Sequence, residues 1–206
     1  MPPRKRGAAE AVELVTARLR LDALRCGDAA ALFRYRADPA VSRYQGWRPT
    51  SPDEAVRFIE RQQAVAFDTP GSWFQFALRL GDAGELAGDL GLHFVDADTV
   101  EFGVTLAPAQ QGRGLAAEAL HAVLALVFDG LGRHRAFASV DPRNLACVRL
   151  LERLGLRKEA HFRESWRDGE AWADDAIYAM LASEWRARAP LPLDTGRGHG
   201  WPCLEE

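Results

Sequence analysis

A chain of 206 residues with 48% hydrophobic and 27% charged residues is long enough for one well-buried domain and short for two. Its net charge of −3 gives no general attraction to nucleic acid or to an anionic membrane surface, and no apolar run approaches the ~20 residues of a spanning helix. Cys26, Cys147 and Cys203 are odd in number, far apart and in no Cys-x-x-Cys pair, which points to a reduced, cytoplasmic setting and away from zinc. His93, His121, His134, His161 and His199 show no metal-ligand spacing, so no metal is expected.

In chain order, residues 1–13 read as a flexible tail, with Glu10 and Glu13 interrupting any signal-peptide apolar region. Leu14 to Leu21 alternates as a first strand. Asp28 is placed to cap a short helix that runs to Arg36. An irregular loop, Val41 to Thr50, carries Tyr44 and Trp47. Ser51-Pro52-Asp53-Glu54 reads as an N-cap, a proline at the first helical position and an acidic first turn. Strands follow at Trp73–Leu80, at Glu85–Phe94 (with Gly88 and Gly91 inside it) and at Thr99–Leu106. After the segment 107–116 comes an alanine- and leucine-rich helix. Then follow a buried strand at Arg135–Val140, a helix at Leu145–Leu154 stopped by Gly155, and two strands paired across Arg167-Asp168-Gly169, a strong hairpin signal. Residues 187–206 read as a second flexible tail. The order implies a single α/β domain over 14–186, with one mixed sheet and helices on both faces.

The chain is organised around Ala107-Pro108-Ala109-Gln110-Gln111-Gly112-Arg113-Gly114-Leu115-Ala116, a glycine-bearing loop between a strand and a helix. Gly112 and Gly114 allow positive φ and close approach to a ligand. A helix starting near Leu115 offers unpaired N–H groups and the positive end of its dipole, which together make an anion site. A P-loop would need Gly-Lys followed by Ser or Thr, which the segment lacks. A dinucleotide fingerprint would need a third glycine where Ala117 stands, and a place in the first strand–helix unit.

Gln-x-x-Gly-x-Ala, Gln111 to Ala116, resembles the pyrophosphate loop of the GNAT acyltransferases. Asn144-Leu145-Ala146-Cys147, opening a helix that ends in Gly155-Leu156, resembles that family's second signature, at a spacing that admits one helix and one strand. Tyr44-Gln45-Gly46-Trp47 and Trp172 to Leu181 are similar to the RimJ/RimL-like branch. The resemblance covers residues 14–186 and implies a GNAT fold, a mostly antiparallel sheet splayed at the strand before the loop. It also implies an acetyl-CoA-dependent N-acetyltransferase with no metal, acting as a monomer or homodimer on a primary amine: a protein N-terminus or a small molecule.

By that resemblance, Val104, Thr105 and Leu106 line the pantetheine arm, and Gln111, Gly112, Arg113, Gly114, Leu115 and Ala116 wrap the pyrophosphate. Asn144 bonds the arm near the sulfur. The amine must lose a proton before it attacks the thioester, and an α-amine of pKa near ~8 does so more easily than a lysine near ~10.4. Glu101 is the candidate base, acting through water or as a clamp on the amine; the plainer reading is a strand carboxylate bonded to a neighbour. Cys147 stands where relatives commonly carry serine as proton donor to the leaving thiolate; the plainer reading is a small buried apolar residue. Leu151 occupies a position where many relatives place a tyrosine acid. Tyr44, Trp47 and Trp73 are candidate walls for the acceptor, or simply packing. Succinyl or another acyl group, and a non-catalytic acyl-CoA sensor, are the alternatives.

Overall fold

The computed structural model describes residues 12–81 and 84–188, so the tails read at 1–13 and 187–206 fall almost wholly outside the described residues. The chain forms β1 (Leu14–Val15), β2 (Leu19–Ala23), α1 (Ala29–Arg36), the short α2 (Pro39–Ser42), α3 (Pro52–Gln63), β3 (Ser72–Leu80), β4 (Glu85–Phe94) and β5 (Thr99–Leu106). It continues through α4 (Leu115–Ala125), β6 (Arg135–Val140), α5 (Leu145–Arg153), β7 (Arg157–Asp168), β8 (Ala171–Leu181) and α6 (Ala182–Arg186). The strands make one sheet in the order β1-β2-β3-β4-β5-β6-β8-β7. Only β5 and β6 run parallel; the other neighbouring pairs are antiparallel.

Alternation along β3 sends Phe74, Phe76 and Leu78 to one face and Gln75, Ala77 and Arg79 to the other. The first face packs against Leu115, Ala119, Leu120 and Val123 of α4 and Leu150 and Leu151 of α5. The second packs, through Ala77, against Leu32 and Tyr35 of α1 and Ala55 and Ile59 of α3. Each helix therefore buries its apolar stripe on the face that the strand period assigns to it, and the sheet carries helices on both sides. No helix among the described residues is long and apolar enough to cross a membrane.

Helix starts follow local chemistry. The Ser51 hydroxyl accepts from Glu54 N at 3.4 Å while Glu54 accepts from Thr50 N at 2.6 Å, so each satisfies a donor at the start of α3. Two expectations change. Leu14–Leu21 is not one strand, because Thr16 N bonds Leu19 O at 2.8 Å and Leu19 N returns to the Thr16 hydroxyl at 3.0 Å. A tight turn there folds β1 back onto β2 in antiparallel pairing. Asp28 precedes α1 but makes no side-chain cap; both its oxygens go to the Arg79 guanidinium at 2.8 Å. A fork-to-carboxylate pair is stronger than one N-cap bond. Burial pushes the Asp28 carboxyl up, but the bonds from Arg79 and from Arg25 N outweigh it and hold the group below the ordinary aspartate range.

Pairing of β3 with β4 shifts register between Leu78 and Arg79, and Gly88 sits at that irregularity, facing Leu106 of β5. A Cβ on Gly88 would stand 2.2 Å from the Thr105 carbonyl oxygen and 2.9 Å from Leu106 Cα. Backbone cannot rotate out of the way as a side chain can. Gly88→Ala is expected to destabilise the fold by ~1–3 kcal/mol, a fall of roughly 2–12 °C in the unfolding midpoint at ~2–4 °C per kcal/mol; thermal denaturation followed by circular dichroism checks it.

Candidate active site

β5 is bonded to β4 from Val100↔Phe94 to Leu106↔Gly88. On its other side it pairs with β6 only at Thr99↔Arg135, Val100↔Ala136 and Glu101↔Phe137. β6 continues to Val140, held by β8 up to Val140↔Ala176. Beyond Glu101 the two central strands therefore part, and the backbone of Phe102 to Leu106 has no strand partner on the β6 side. Val104, Thr105 and Leu106 lie on this free edge.

The edge runs into the glycine loop. A short 3₁₀ turn, Pro108–Gln110, leads to Gly112 at φ 71° and Gly114 at φ 77°, and Gly114 is the N-cap residue of α4. Both glycines occupy the left-handed region that residues with a Cβ avoid. The Gln111 side chain folds back, donating to Leu106 O at 3.1 Å, and Arg113 donates to Gln110 Oε1. Leu115 points into the core and Ala116 is half-buried against it. The loop thus presents backbone and helix N–H groups rather than side chains.

On the α1/α3 face, register aligns residues in rows across three strands. Trp73, His93 and Glu101 are successive partners, as are Gln75, Gly91 and Gly103, and Ala77, Asp89 and Thr105. His93 Nδ1 lies 3.2 Å from Glu101 Oε2; its ring stacks on Trp73 with centroids 4.9 Å apart and planes at 8°. In a neutral ring that donates from Nδ1 to the Glu101 carboxylate, Nε2 is left as an acceptor. The middle row has no side chains on β4 and β5. A Cβ on Gly91 would meet Gln75 Oε1 at 2.8 Å and the Trp73 ring at 3.0 Å, whereas one on Gly103 would meet nothing within 4 Å. The Gly91 end of that row is covered by Gln75 and the Trp73 ring, and the Gly103 end is open.

Asp89 is fully buried. It accepts from Tyr35 Oη at 2.6 Å, from Arg36 Nε at 3.1 Å, and from Arg36 Nη2 and Gln75 Nε2. Burial, then the Asp89 charge, pushes the Tyr35 phenol well above the ordinary tyrosine range, so it stays a donor. Gln45 Oε1 accepts from Arg36 Nη1 at 3.3 Å and from Thr105 Oγ1 at 3.2 Å. This network fixes the loop that follows α2, residues 43–50, to β5. Within the loop, Trp47 stacks on Phe58 at 4.2 Å with Arg36 over its ring at 5.6 Å, and Tyr44 carries Arg43 over its ring at 5.2 Å. Trp47 is thus turned toward α3, while Trp73, 40% exposed, stands in the Glu101 row.

Asn144 caps α5, its Oδ1 accepting from Cys147 N at 3.2 Å; its Nδ2 bonds none of the described residues. Burial pushes the Cys147 thiol up to about 11. Leu151 is buried in the core, as its apolar nature requires. Tyr178 of β8 interacts with Glu152 and Cys147; burial, then Glu152, raises its phenol. The Asp174-Asp175 pair is bonded rather than free. Asp174 takes His161 Nε2 at 2.7 Å and Glu164 N at 2.9 Å, and Asp175 takes the Ser139 hydroxyl at 2.7 Å. His121 packs on Trp185 at 5.3 Å. No cluster of His, Cys, Asp or Glu among the described residues is arranged to hold a metal. Sequence reasoning missed His93, Gln45 and Asp89. The even spacing of Gly91 and His93 in one strand put both on one face and was the available signal for His93.

Three comparisons bear on this arrangement. Residues 18–157, well over half of the chain, match the model of the acetyltransferase (GNAT) domain. The uncharacterized N-acetyltransferase YnaD of Bacillus subtilis is 26% identical over 175 residues, covering 84% of this chain and 99% of the relative. The [ribosomal protein uS5]-alanine N-acetyltransferase of Escherichia coli is 28% identical over 184 residues, covering 84% and 93%. The crystal structure of a GNAT-family acetyltransferase from Bacillus anthracis superposes with a TM-score of 0.76 at 25% identity, covering 84% of this chain and all of that one. The parted central strands, the glycine loop capping α4 and the family match agree: this chain belongs to the GNAT acetyltransferase family and is an N-acetyltransferase.

Proposed function

We propose that the protein moves an acetyl group from acetyl-CoA to the α-amine of a peptide or protein N-terminus by direct attack on the thioester, with no covalent enzyme intermediate. The observation that carries the reading is the divergence of β5 from β6 beyond Glu101↔Phe137, which leaves a strand edge free beside a glycine loop. In this reading the pantetheine arm fills the gap and bonds the free edge of Val104, Thr105 and Leu106. The pyrophosphate rests on Gln111 to Ala116 at the start of α4, and Asn144 Nδ2 reaches the arm. One or more amides of the free edge take the thioester oxygen, a preorganised site for the tetrahedral oxyanion.

The acceptor amine lies over the open Gly103 position, between Trp73 and the Tyr44 loop. Glu101 takes its proton, directly or through a water, and His93 orients the carboxylate from behind. A peptide acceptor is favoured by the 28% identity to an enzyme named as a [ribosomal protein uS5]-alanine N-acetyltransferase and by the lower pKa of an α-amine, near ~8. Cys147, with its thiol pushed up to about 11, keeps its proton at neutral pH. An ordinary cysteine thiol sits near ~8.5, so the buried Cys147 is a weak acid that donates at most a hydrogen bond, and the departing thiolate is protonated from solvent.

Calorimetric titration with acetyl-CoA and succinyl-CoA, followed by thiol release with N-terminal peptides, polyamines and lysine derivatives, tests the reading. Tight acetyl-CoA binding with turnover on peptides is expected. Binding without turnover on any amine would favour a sensor, and turnover on polyamines alone would overturn the peptide assignment. Glu101→Gln is expected to lower kcat/KM at neutral pH by roughly 10²–10³-fold while acetyl-CoA affinity stays within twofold; an unchanged pH–rate profile would reduce Glu101 to a structural carboxylate. Gly114→Trp is expected to abolish acetyl-CoA binding, since an indole would occupy the loop mouth and its φ of 77° disfavours any side chain. In a Cys26→Ser/Cys203→Ser background, alkylation of Cys147 by iodoacetamide is expected to stay slow up to pH 9 and to rise toward 11, because a raised acid group holds its proton until the pH approaches that value.

A further inference from the structure

The β1–β2 turn does more than reverse the chain. Glu118 lies in the first turn of α4, and both its carboxylate oxygens are taken by that turn. Oε1 accepts from the Thr16 hydroxyl at 2.6 Å and from Arg18 N at 2.8 Å, and Oε2 accepts from Arg18 Nε at 2.6 Å. Arg18 Nη1 donates to the Arg113 carbonyl at 2.8 Å, inside the glycine loop. Burial pushes the Glu118 carboxyl up, and the bonds from Thr16 and Arg18 outweigh it and hold the group below the ordinary glutamate range. Arg18 Nη2 bonds none of the described residues and stands 3.5 Å from where a Cβ on Gly114 would be. The side chain is half exposed.

We infer that Arg18 is a coenzyme-binding residue, holding the pyrophosphate of the acyl-CoA from the N-terminal turn with Glu118 as its positioning partner. The inference rests on the acetyl-CoA reading above. Two of the three guanidinium nitrogens are committed to protein acceptors, which fixes the plane of the fork. The third is left at the mouth of the loop, on the same side as the N-cap residue. Arginine suits the task because its donors diverge in a fixed geometry and its charge is permanent. The arrangement also solves an electrostatic problem. A lone carboxylate one turn inside α4 would repel a phosphate at the helix start; clamped by Arg18, it becomes the device that aims a cation there.

The test is calorimetry with CoA and 3′-dephospho-CoA, and kinetics with acetyl-CoA and acetyl-pantetheine, on Arg18→Ala, Arg18→Gln, Glu118→Gln and the double variant Arg18→Ala/Glu118→Gln. Loss of one charged hydrogen bond is expected to weaken CoA by about 10- to 100-fold in both Arg18 variants. Dephospho-CoA should weaken to the same degree, KM for acetyl-CoA should rise with kcat retained, and the penalty should vanish with acetyl-pantetheine. Glu118→Gln should show a smaller loss of the same kind, and the double variant should stay as weak as Arg18→Ala. Wild-type affinity in Arg18→Ala overturns the inference. So does recovery of wild-type affinity in the double variant, which would leave Arg18 only neutralising Glu118. A penalty absent with dephospho-CoA would move Arg18 to the 3′-phosphate, and an equal penalty on acetyl-pantetheine would mark a folding lesion; either overturns it. If Arg18→Ala does not fold, Arg18→Gln, whose amide nitrogen falls at the place of Nε and can keep the bond to Glu118, carries the test. Failure of the wild type to bind CoA at all would instead withdraw the acetyl-CoA reading.

Discussion

Backbone N–H and C=O groups inside a sheet must find partners, and this protein breaks its own ladder in the middle. β5 is fully bonded on one side and bonded on the other only as far as Glu101. Edge strands at the margin of a sheet are covered or blunted; here the open edge is interior, flanked by the apolar packing of α4 and α5. The rest of the molecule is arranged around that opening. β4 holds β5 rigid so that it does not follow β6, β8 holds β6 away, and the glycine loop begins where β5 ends. Catalysis by transfer between two bound partners needs both held in place before reaction, and a split sheet provides a rigid slot with an open face on one side.

The α1/α3 face is rigidified by charge rather than by apolar contact alone. Asp89 would be costly to bury alone, but four donors from α1 and β3 surround it. Buried ion pairs of this kind are poor evidence of stability, and removing one partner leaves an uncompensated charge. Their effect here is positional. The same guanidinium that satisfies Asp89 reaches Gln45, and Gln45 reaches Thr105. The Tyr44 loop and β5 are thereby tied through three side chains, so that a shift in one is felt by the other.

Much of this was legible in the chain. The element order, the Ser51-Pro52 helix start, the Gly155 stop and the Asp-Gly hairpin all depend on neighbours within a few residues, and local chemistry decides them. The glycine loop was legible for the same reason. What the sequence did not show depends on register between distant strands. Leu14 to Leu21 has the alternation of one strand, and the turn closed by Thr16 and Leu19 is held by Glu118, 102 residues away. Asp28 has the local look of a cap until Arg79, 51 residues on, takes its oxygens. His93 gave no signal as a lone histidine; it gains meaning only because β4 pairs it with Glu101 on one side and Trp73 on the other.

Of the two glycines in the middle row, Gly91 is hemmed in by Gln75 and the Trp73 ring, whereas a Cβ on Gly103 would meet none of the described residues within 4 Å. A side chain gained at Gly91 is opposed by the fold. A Cβ gained at Gly103 meets no atom of the described residues within 4 Å and would project into the volume proposed for the acceptor. Folding and selectivity are thus uncoupled at a single position. Descendants of this chain can narrow or reshape what they accept by drift at Gly103 without passing through an unstable intermediate, while Gly91 keeps the floor flat beneath them.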